Sequence, residues 1–304
     1  MRSSYYVGVS FYNKQIQLAE IDHGRKKTVT ALNERNTAID FSQDTRFSAD
    51  HPQVDTFIYE LEELIKQNKV HSKTISFALP TEPLLMNVIP IDASLQGAGL
   101  AAHLQWEFEQ YYPNIPVKDY LVSATPVPGP ATATKHAFLV GVPRGTITFL
   151  KRAAAELRLQ VYIVDIDHFS VEKTLRHSHQ NLPKETIILI GSRGRGIDAS
   201  LVSQGQITDY RTFRLQHPDD MKKSIVAYRQ YLEQKDGIKS FHSIVLYGFD
   251  ITTQVISQIQ KETGIATTTL NAMSNLTPSK RLDQDFVNDS SRFSAAIGLA
   301  LRTQ

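Results

Sequence analysis

The N-terminal part of the chain alternates short apolar runs with polar turns. Residues 5–11 and 15–21 are two such runs, and a third covers 28–32. Short runs bounded by turn residues are typical of strands, so the pattern predicts an antiparallel meander. Over 53–67 the apolar residues recur at spacings of three and four, which predicts an amphipathic helix with a glutamate-rich outer face.

In the middle of the chain, predicted strands and helices alternate. Leu100, Leu104, Phe108 and Tyr111 share one face of a predicted helix, which Pro113 ends. The remaining predictions here are strands at 74–79, 84–91, 120–122, 137–142 and 161–166, a loop rich in Pro, Gly, Ala and Thr at 125–134, a helix at about 145–157, and a helix from Asp167, as its N-cap, through Leu175.

The last part repeats the opening plan, which indicates an internal duplication. After a polar stretch at 177–184, we predict strands at 186–190, 197–202 and 207–213 and a helix at about 218–234. A chain of 304 residues is long enough for two lobes, because a single core usually stops growing at roughly 250 to 300 residues. We therefore predict an α/β (α+β) fold in two lobes. The first lobe comprises 1–83, 165–180 and a C-terminal helix at 290–304, an inserted α+β subdomain covers 84–164, and the second lobe covers 184–289.

The composition limits the classes of function. Lys and Arg number 33 against 31 Asp and Glu, so the formal net charge of +2 gives no whole-surface field that would attract nucleic acid. The chain has no cysteine, which excludes a disulfide framework, a thiolate metal site and a cysteine nucleophile. No apolar run approaches the roughly 18 residues of a membrane span. We expect a cytoplasmic protein without a membrane span of its own.

Four segments carry a resemblance to a known family. Residues 104–113, Leu-Gln-Trp-Glu-Phe-Glu-Gln-Tyr-Tyr-Pro, resemble a helix that reads Arg-Trp-Glu-Ala-Glu-Gln-Tyr-Ile-Pro in PilM proteins, and residues 76–80, Ser-Phe-Ala-Leu-Pro, resemble the strand end before it. Residues 139–165 and the closing segment 294–302, Ser-Ala-Ala-Ile-Gly-Leu-Ala-Leu-Arg, complete the set. In this order the segments resemble the actin-like ATPase superfamily, and within it the type IV pilus assembly protein PilM and the cell-division protein FtsA.

The resemblance implies a two-lobed actin-like (ribonuclease H-like) fold with an FtsA/PilM-type subdomain inserted in the first lobe. It also implies where a nucleotide binds in functional relatives. Two hairpins each supply an Asp that holds hydrated Mg²⁺. Gly or Ser in the turns lets backbone N–H groups approach the phosphates.

The nucleotide motifs of this chain depart from that pattern. Aligned on Gly8, the first Asp position is Ser10 and the second glycine position is Tyr12, where a tyrosine would obstruct the phosphate. Leu189 replaces the second Asp, and Phe249 would fill the space beside the third motif. We therefore predict no catalytic residue, no metal and no cofactor. The degenerate cleft positions are Gly8, Ser10, Tyr12, Leu189, Gly191, Ser192 and Gly248.

Two arginines leave an alternative open. Arg193 and Arg195 lie on the glycine-rich turn that faces the predicted cleft, so they are candidates for binding an anion by a different route. The simpler interpretation is a solvated hairpin tip. ATP and magnesium in a remodelled site are the corresponding alternative for the cofactor.

Other residues with chemical potential have structural interpretations. His177 and His179 lack a third metal ligand and lie in the predicted linker. The acidic residues at 165–167 follow a strand and enter a helix, where capping is the expected role. Trp106 lies off the apolar stripe of its helix and is a candidate for a partner surface, but packing between subdomains is the role we expect.

The resemblance implies a binding function. We predict a non-catalytic scaffold of a type IV pilus or related secretion machine, peripheral to the inner membrane. Its partner would be the cytoplasmic N-terminal peptide of a PilN-like inner-membrane protein. In the family that peptide enters the cleft between the first lobe and its inserted subdomain, and segments 84–91 and 100–112 lie on the matching subdomain here.

Two alternatives stay open. One is an actin-like ATPase with a remodelled nucleotide site, which would self-associate as FtsA does. The other is the cytoplasmic domain of a type II secretion GspL-like protein, which would continue into a membrane helix beyond Gln304.

Overall fold

Three β-sheets organise the protein. The structure is a computed structural model that describes residues 4–43, 47–128, 134–193, 195–217, 220–236, 238 and 240–303. In chain order the elements are β1 (Tyr5–Tyr12), β2 (Gln15–Asp22), β3 (Thr28–Asn36), α1 (Val54–Gln67), β4 (Thr74–Leu79), β5 (Leu85–Asp92), α2 (Gly97–Tyr111), β6 (Tyr120–Val127), β7 (Thr134–Pro143), α3 (Arg144–Glu156), β8 (Gln160–Ile166), α4 (Asp167–Ser178), β9 (Thr186–Ser192), β10 (Gly196–Ser203), β11 (Gln206–Arg214), α5 (Asp220–Asp236), β12 (Ser243–Gly248), α6 (Thr253–Thr263), β13 (Thr267–Thr269), β14 (Thr277–Pro278), α7 (Gln284–Asn288) and α8 (Ser294–Ala300).

The first lobe is built on a six-stranded sheet in the order β14-β3-β2-β1-β4-β8. The predicted meander supplies β1 to β3, which pair antiparallel, whereas β4 pairs parallel with both β1 and β8. Helices α1 and α3 cover one face, where Phe57, Leu61 and Phe149 are fully buried. On the other face α8 crosses β1 and β2.

The second lobe repeats this plan around a five-stranded sheet in the order β11-β10-β9-β12-β13. Strands β9 to β11 form an antiparallel meander, and β9 pairs parallel with β12 as β1 does with β4. Both faces of β9 are covered, because Ile188 and Ile190 pack toward α5 and α6 while Ile187 and Leu189 pack toward the first lobe. The duplication predicted from the sequence therefore extends to strand pairing.

The inserted subdomain has a small sheet of its own. Its three antiparallel strands lie in the order β5-β7-β6, so β5 and β6 are edge strands. Helix α2 covers one face with Leu104 and Phe108, which are buried against Ile89 and Leu139. The opposite face points toward the two lobes.

Two helices pack against each other between the lobes. The hydroxyl of Thr174 on α4 donates a hydrogen bond of 2.7 Å to the Ser294 carbonyl at the start of α8. Val171 of α4 and Leu299 of α8 belong to the same buried cluster as Leu189 of the second lobe. A continuous apolar core thus joins the lobes below the cleft.

The division into lobes differs from the prediction at two boundaries. The inserted sheet ends with β7, whereas α3 packs into the first-lobe core and β8 pairs with β4, so the predicted subdomain range 84–164 is too long. Strand β14 pairs with β3, and Met273 and Leu276 pack on the first lobe, so the predicted second-lobe range 184–289 is also too long. An apolar pattern predicts an element but not the sheet that it joins.

Some local predictions also change. Helix α4 includes Asp167, and its N-cap position is Ile166, so capping by the Asp167 side chain is wrong. Tyr111 is 43% exposed, and Tyr112 instead packs on Phe108 and donates a 3.0 Å hydrogen bond to the Met86 carbonyl. The predicted helix start at 218 and residues 129–133 of the predicted loop at 125–134 lie outside the described residues, whereas 125–127 belong to β6 and Thr134 begins β7. Among the helices that the structure describes, none is long and apolar enough to cross a membrane.

Candidate functional site

The tip of the first hairpin lies against the second lobe. Tyr12 stacks on Phe249, with ring centroids 3.4 Å apart and planes 9° from parallel. The Arg292 guanidinium lies 5.0 Å from the Phe249 ring centroid and forms an ion pair of 2.8 Å with Glu34. Burial raises the pKa of the Tyr12 phenol to about 12, and the charge of Asp250 adds to the rise. The aromatic residues expected to obstruct the cleft therefore bridge it.

A buried ion cluster occupies the cleft beside this stack. We define the interlobe cluster as Glu82, Asp167, Arg193 and Asp198. Nε of Arg193 lies 2.6 Å from Oδ2 of Asp198, and its Nη1 contacts the Glu82 carboxylate. Burial alone would lower the pKa of the guanidinium, but Asp198 and the other two carboxylates raise it, which keeps Arg193 charged. Arg193 is only 8% exposed. Its guanidinium, which was a candidate for binding an anion, is therefore already paired with carboxylates of its own chain.

Asp198 is the centre of the interlobe cluster. This carboxylate is fully buried and accepts hydrogen bonds from the Thr81 hydroxyl at 3.0 Å and the Tyr210 hydroxyl at 2.6 Å. Thr81 follows the first-lobe strand β4, so the contact ties the second lobe to the connection that leads into the subdomain. Sequence reasoning missed Asp198, although an aspartate within the apolar run of β10 is a signal for a buried charge with a partner.

Asp167 and His168 face the cleft from the start of α4. Burial and the nearby Asp198 raise the pKa of the Asp167 carboxyl well above its ordinary value. The His168 ring lies 2.7 Å from the Tyr247 hydroxyl through Nδ1 and 2.9 Å from the Ser200 hydroxyl through Nε2. Burial lowers the pKa of His168 to about 4, so the imidazole is neutral at pH 7. Because His168 and Ser200 are both fully buried, this pair has no access to a substrate.

The retained glycines have packing reasons. A Cβ on Gly8 would overlap the Ala296 carbonyl where α8 crosses β1, and a Cβ on Gly191 would overlap the Tyr247 hydroxyl. Gly248 has a φ of +103°, which side-chain-bearing residues rarely adopt. Close packing thus explains these positions without a phosphate.

The other predicted cleft positions are buried. Ser10 donates a hydrogen bond of 3.2 Å to the Gln17 side-chain oxygen, and Ser192 is buried at the end of β9. Leu189, at the position of the second Asp in the family, is fully buried in the core between the lobes. A hydrocarbon side chain in this place offers no ligand to Mg²⁺.

A cavity of about 30 Å³ remains between the two hairpins. It is lined by side chains that include Ser10, Tyr12, Ser192, Arg193 and Phe249. Sites for small molecules usually have ~300 to 1,000 Å³. In the described part of the chain, no group of three or more His, Asp or Glu residues is arranged to hold a metal. The residues present therefore do not fit Mg-ATP in this conformation.

Two larger openings flank the inserted subdomain. The lobe cavity, as we call the first, has about 300 Å³ and lies between the first lobe and the subdomain, with Gln206 and Ile207 of the second lobe completing its lining. Its lining includes Thr125 and Pro126 from β6 and Phe169 from α4. Its acidic groups are already paired, Asp165 with Arg302 and Glu172 with Arg176.

The second opening, which we call the groove, has about 760 Å³ and lies between the subdomain and the second lobe. It is lined by residues 84–88 of the subdomain and 209–214 of β11. Arg195, the other anion-binding candidate, is exposed at its rim. Phe138 of β7 lines both openings and separates them.

The remaining candidates lie apart from these openings. Trp106 is 55% exposed and stacks on His103, so the expected packing between subdomains is wrong. His177 contacts the Asn275 carbonyl at 3.3 Å, and His179 contacts the Ser178 hydroxyl at 3.0 Å. Neither histidine belongs to a metal-binding group among the described residues.

Comparison with known proteins places these features in a family context. Residues 8–190 match the family model described as type IV pilus assembly protein PilM. None of the curated protein sequences matches the chain. Among solved structures, a PilM-PilN type IV pilus biogenesis complex aligns with a TM-score of 0.80 at 15% identity, covering 99% of this chain and 98% of that one.

Two further structures are similar at lower scores. A Bacteroides thetaiotaomicron protein with an actin-like ATPase fold and unknown function aligns with a TM-score of 0.54 at 11% identity, covering 89% of this chain and 92% of that one. The ethanolamine utilization protein EutJ from Carboxydothermus hydrogenoformans aligns with a TM-score of 0.51 at 10% identity, covering 99% and 90%. Likeness at such identities establishes the fold alone, and it confirms the predicted two-lobed actin-like architecture.

Proposed function

The chain belongs to the family of the type IV pilus assembly protein PilM, and on that premise we propose that it is a non-catalytic scaffold of a type IV pilus or related secretion machine. The observation that carries the proposal is the filled interlobe cleft, with a cavity of about 30 Å³ where actin-like ATPases bind a nucleotide. In this proposal the protein lies on the cytoplasmic side of the inner membrane and is held there by a membrane-embedded partner.

The energetics of opening the cleft support the absence of ATPase activity. A nucleotide would have to separate Tyr12 from Phe249 and part Arg193 from its carboxylates. Removing one partner from a buried ion pair costs about 3 to 5 kcal/mol. Because every 1.4 kcal/mol is a factor of ten, such a cost weakens binding by roughly a hundredfold to a few thousandfold.

Thermal unfolding with and without Mg-ATP tests this part of the proposal. A ligand present at about 100 times its dissociation constant stabilises the native state by about 2.7 kcal/mol. We expect no change in the unfolding midpoint at millimolar Mg-ATP. A rise that requires both magnesium and the triphosphate would contradict the proposal and favour the ATPase alternative.

For the partner we propose the cytoplasmic N-terminal peptide of a PilN-like inner-membrane protein, docked in the lobe cavity. The lobe cavity lies between the first lobe and the subdomain and has aromatic walls from Phe138 and Phe169. Its two arginines, Arg176 and Arg302, are paired with Glu172 and Asp165, so no unpaired positive charge of theirs repels the lysines and arginines that cytoplasmic segments next to a membrane tend to carry. The PilM-PilN complex named among the similar structures supports the choice of partner class.

A cavity-filling pair of variants tests the docking site. Thr125 is exposed on β6 and lines the lobe cavity, whereas Thr269 is exposed on β13 in the second lobe. We expect Thr125→Trp to weaken binding of a labelled peptide from the PilN-type protein of the same genome by at least tenfold in fluorescence anisotropy. Thr269→Trp should leave the affinity unchanged. No micromolar binding to the unaltered protein would sink the proposed partner, and equal effects of the two variants would sink the proposed site.

A further inference from the structure

The groove is bounded by the edges of two strands from different sheets. Residues 84–88 and 209–214 line it as two unbroken runs. Successive side chains of a strand point to opposite faces, so an unbroken run means that the edge of each strand, rather than one face, borders the groove. Strands β5 and β11 are both at the edge of their sheets.

The two edges differ in their capacity to pair with an added strand. On β5, the Met86 carbonyl already accepts the Tyr112 hydroxyl, and Pro90 has no N–H to donate. On β11, the run 209–214 contains no proline. Among the described residues β11 pairs only with β10, so its other edge, which faces the groove, is unpaired. An added strand therefore fits β11, with the β5 side chains as the opposite wall.

The wall opposite β11 is apolar. Met86 and Val88 line it, and Val88 is exposed although its neighbour across the ladder is the buried Phe138. Apolar side chains on one face of an extended segment would pack against Met86 and Val88. A segment with alternating character thus matches the groove better than a uniformly polar one.

The acidic groups of the groove are already paired within the chain. Glu82 contacts Arg193 in the interlobe cluster. The Asp209 carboxylate accepts hydrogen bonds of 2.8 Å from the Lys235 ammonium and 2.8 Å from the Tyr228 hydroxyl. These carboxylates offer no free charge to a basic ligand.

Three arginines at the rim have no such partner. Arg195, Arg211 and Arg214 are exposed, and none of them forms an ion pair with any described residue. Arg211 is held in place by the Tyr231 ring, whose centroid lies 3.3 Å from the guanidinium carbon. The whole chain carries a formal charge of only +2, so this local excess is a property of the groove.

We propose that the groove binds an extended acidic segment of a partner protein, which adds as a strand to β11. Main-chain hydrogen bonds to the edge supply affinity, and carboxylates of the segment pair with Arg195, Arg211 and Arg214. The groove lies on the other side of Phe138 from the lobe cavity, so this site and the site proposed for the inner-membrane partner are separate. One protein can then hold two partners around its inserted subdomain.

Labelled octapeptides of defined charge test the proposal by fluorescence anisotropy. Alternating Glu-Val, Gln-Val and Lys-Val peptides are titrated at 50 and 300 mM NaCl. We expect the Glu-Val peptide to bind best, with an affinity that falls as salt rises because the contacts are between exposed charges. N-methylation of alternate Glu-Val residues should abolish binding, since it removes donors that strand addition needs.

Arginine variants locate the site. The double variant Arg211→Ala/Arg214→Ala should weaken Glu-Val binding by about tenfold, because it removes two charge-assisted contacts that are exposed and therefore screened by solvent. Arg281→Ala removes an exposed arginine outside the groove and should leave the affinity unchanged. Thr125→Trp should also leave it unchanged, which keeps this test independent of the inner-membrane partner. Unfolding midpoints of the variants confirm that each is folded.

Three outcomes would overturn the proposal. The first is equal binding of the Glu-Val and Gln-Val peptides, because the arginines would then play no part. The second is tighter binding of an oligothymidylate, weakened by the same double variant, which would make the groove a nucleic-acid site. The third is a change of oligomeric state in sedimentation on mutating Arg211 and Arg214 with peptide binding intact, which would make the groove a contact between two copies of this chain.

Discussion

The interlobe cleft and the groove lie on two sides of one hairpin turn and differ in whether their arginine side chains have ion-pair partners. Arg193 lies where the cleft meets the groove and is neutralised by Glu82 and Asp198. Arg195 lies at the rim of the groove and has no ion-pair partner among the described residues. The arginine of the cleft is thus paired within the chain, whereas the arginine at the rim is not.

This difference distinguishes a packed core from a binding site. A site that recognises a partner needs groups that are unsatisfied in the free protein, whereas a core must satisfy every buried charge. In this protein packed side chains fill the interlobe cleft and leave a cavity of about 30 Å³. The larger openings, of about 300 and 760 Å³, both lie against the inserted subdomain.

The strongest test of the comparison replaces one arginine on each side of the turn. Arg193→Met leaves the buried Asp198 without its counter-charge, so we expect it to lower the free energy of unfolding by about 3 to 5 kcal/mol. Arg195→Met removes an exposed charge and should change it by less than about 0.5 kcal/mol. Urea denaturation at pH 7 measures both values. Similar losses for the two variants would contradict the division between cleft and groove.

The second test uses the pH dependence of stability through His168. Its pKa of about 4 lies below the ordinary 6.5, so between these values the unfolded chain binds a proton that the folded chain does not. This histidine therefore contributes stability at pH 7 that is lost as pH falls from 6.5 toward 4. At about 1.4 kcal/mol for each pKa unit, the loss is about 3 kcal/mol.

The matched variants are His168→Gln, which cannot titrate, and His217→Gln, which removes an exposed histidine. The pKa of Asp167 is raised, so that carboxyl favours folding at low pH and acts in the opposite direction. Asp167 is present in the unaltered protein and in both variants, so its contribution cancels when their pH profiles are compared. His168→Gln should show a smaller loss of stability between pH 7 and pH 4 than both the unaltered protein and His217→Gln. Identical pH profiles would show that His168 is not held neutral in the cleft.

The third test separates a phosphate-binding glycine from a packing glycine. In Gly8→Ala the new Cβ meets the Ala296 carbonyl, and overpacking of this kind costs typically about 1 to 3 kcal/mol. The control Gly24→Ala lies at an exposed turn where a Cβ finds ordinary contact distances. Calorimetry without nucleotide should show a lower melting temperature for Gly8→Ala only. An unchanged melting temperature would mean that packing does not require a glycine here, and Gly8 would again be a candidate for phosphate binding.

The fourth test measures how firmly the aromatic stack closes the cleft. A double-mutant cycle of Tyr12→Ala and Phe249→Ala isolates the coupling between the two rings. Stacked aromatic pairs contribute about 0.5 to 1.5 kcal/mol beyond their buried area, and we expect a coupling in that range from urea denaturation. A coupling near zero would mean that the two lobes do not hold each other through this contact.

Much of the fold follows from local patterns, and much of the site does not. Apart from β3, which extends four residues beyond its predicted end at 32, the strands of the two meanders and helices α1 and α3 lie within a residue or two of their predicted bounds, because their apolar pattern reports which face is buried. No element is predicted from the sequence in the segment 243–288, which contains β12 to β14. Strands β13 and β14 have only three and two residues, too few to show a period.

The predicted loss of the nucleotide site stays a prediction. The structure shows only that Leu189 is buried and that Tyr12 stacks on Phe249. Nothing in Ser-Arg-Gly-Arg-Gly distinguishes Arg193 from Arg195, since the partners of Arg193 are Asp198 on the next strand and Glu82 in the first half of the chain. The packing predicted for Trp106 is wrong for a similar reason, because the surroundings of its side chain depend on how the subdomain sits in the tertiary structure.

The sequence by itself determined the strands and helices, the duplication of the two lobes and the absence of both family aspartates, because these depend on residue types and short-range spacing. The tertiary structure decided the lobe boundaries, the closure of the cleft and the opposite fates of Arg193 and Arg195. These features depend on which strand edges meet and on how closely the lobes approach, and such pairings join residues that local patterns do not connect.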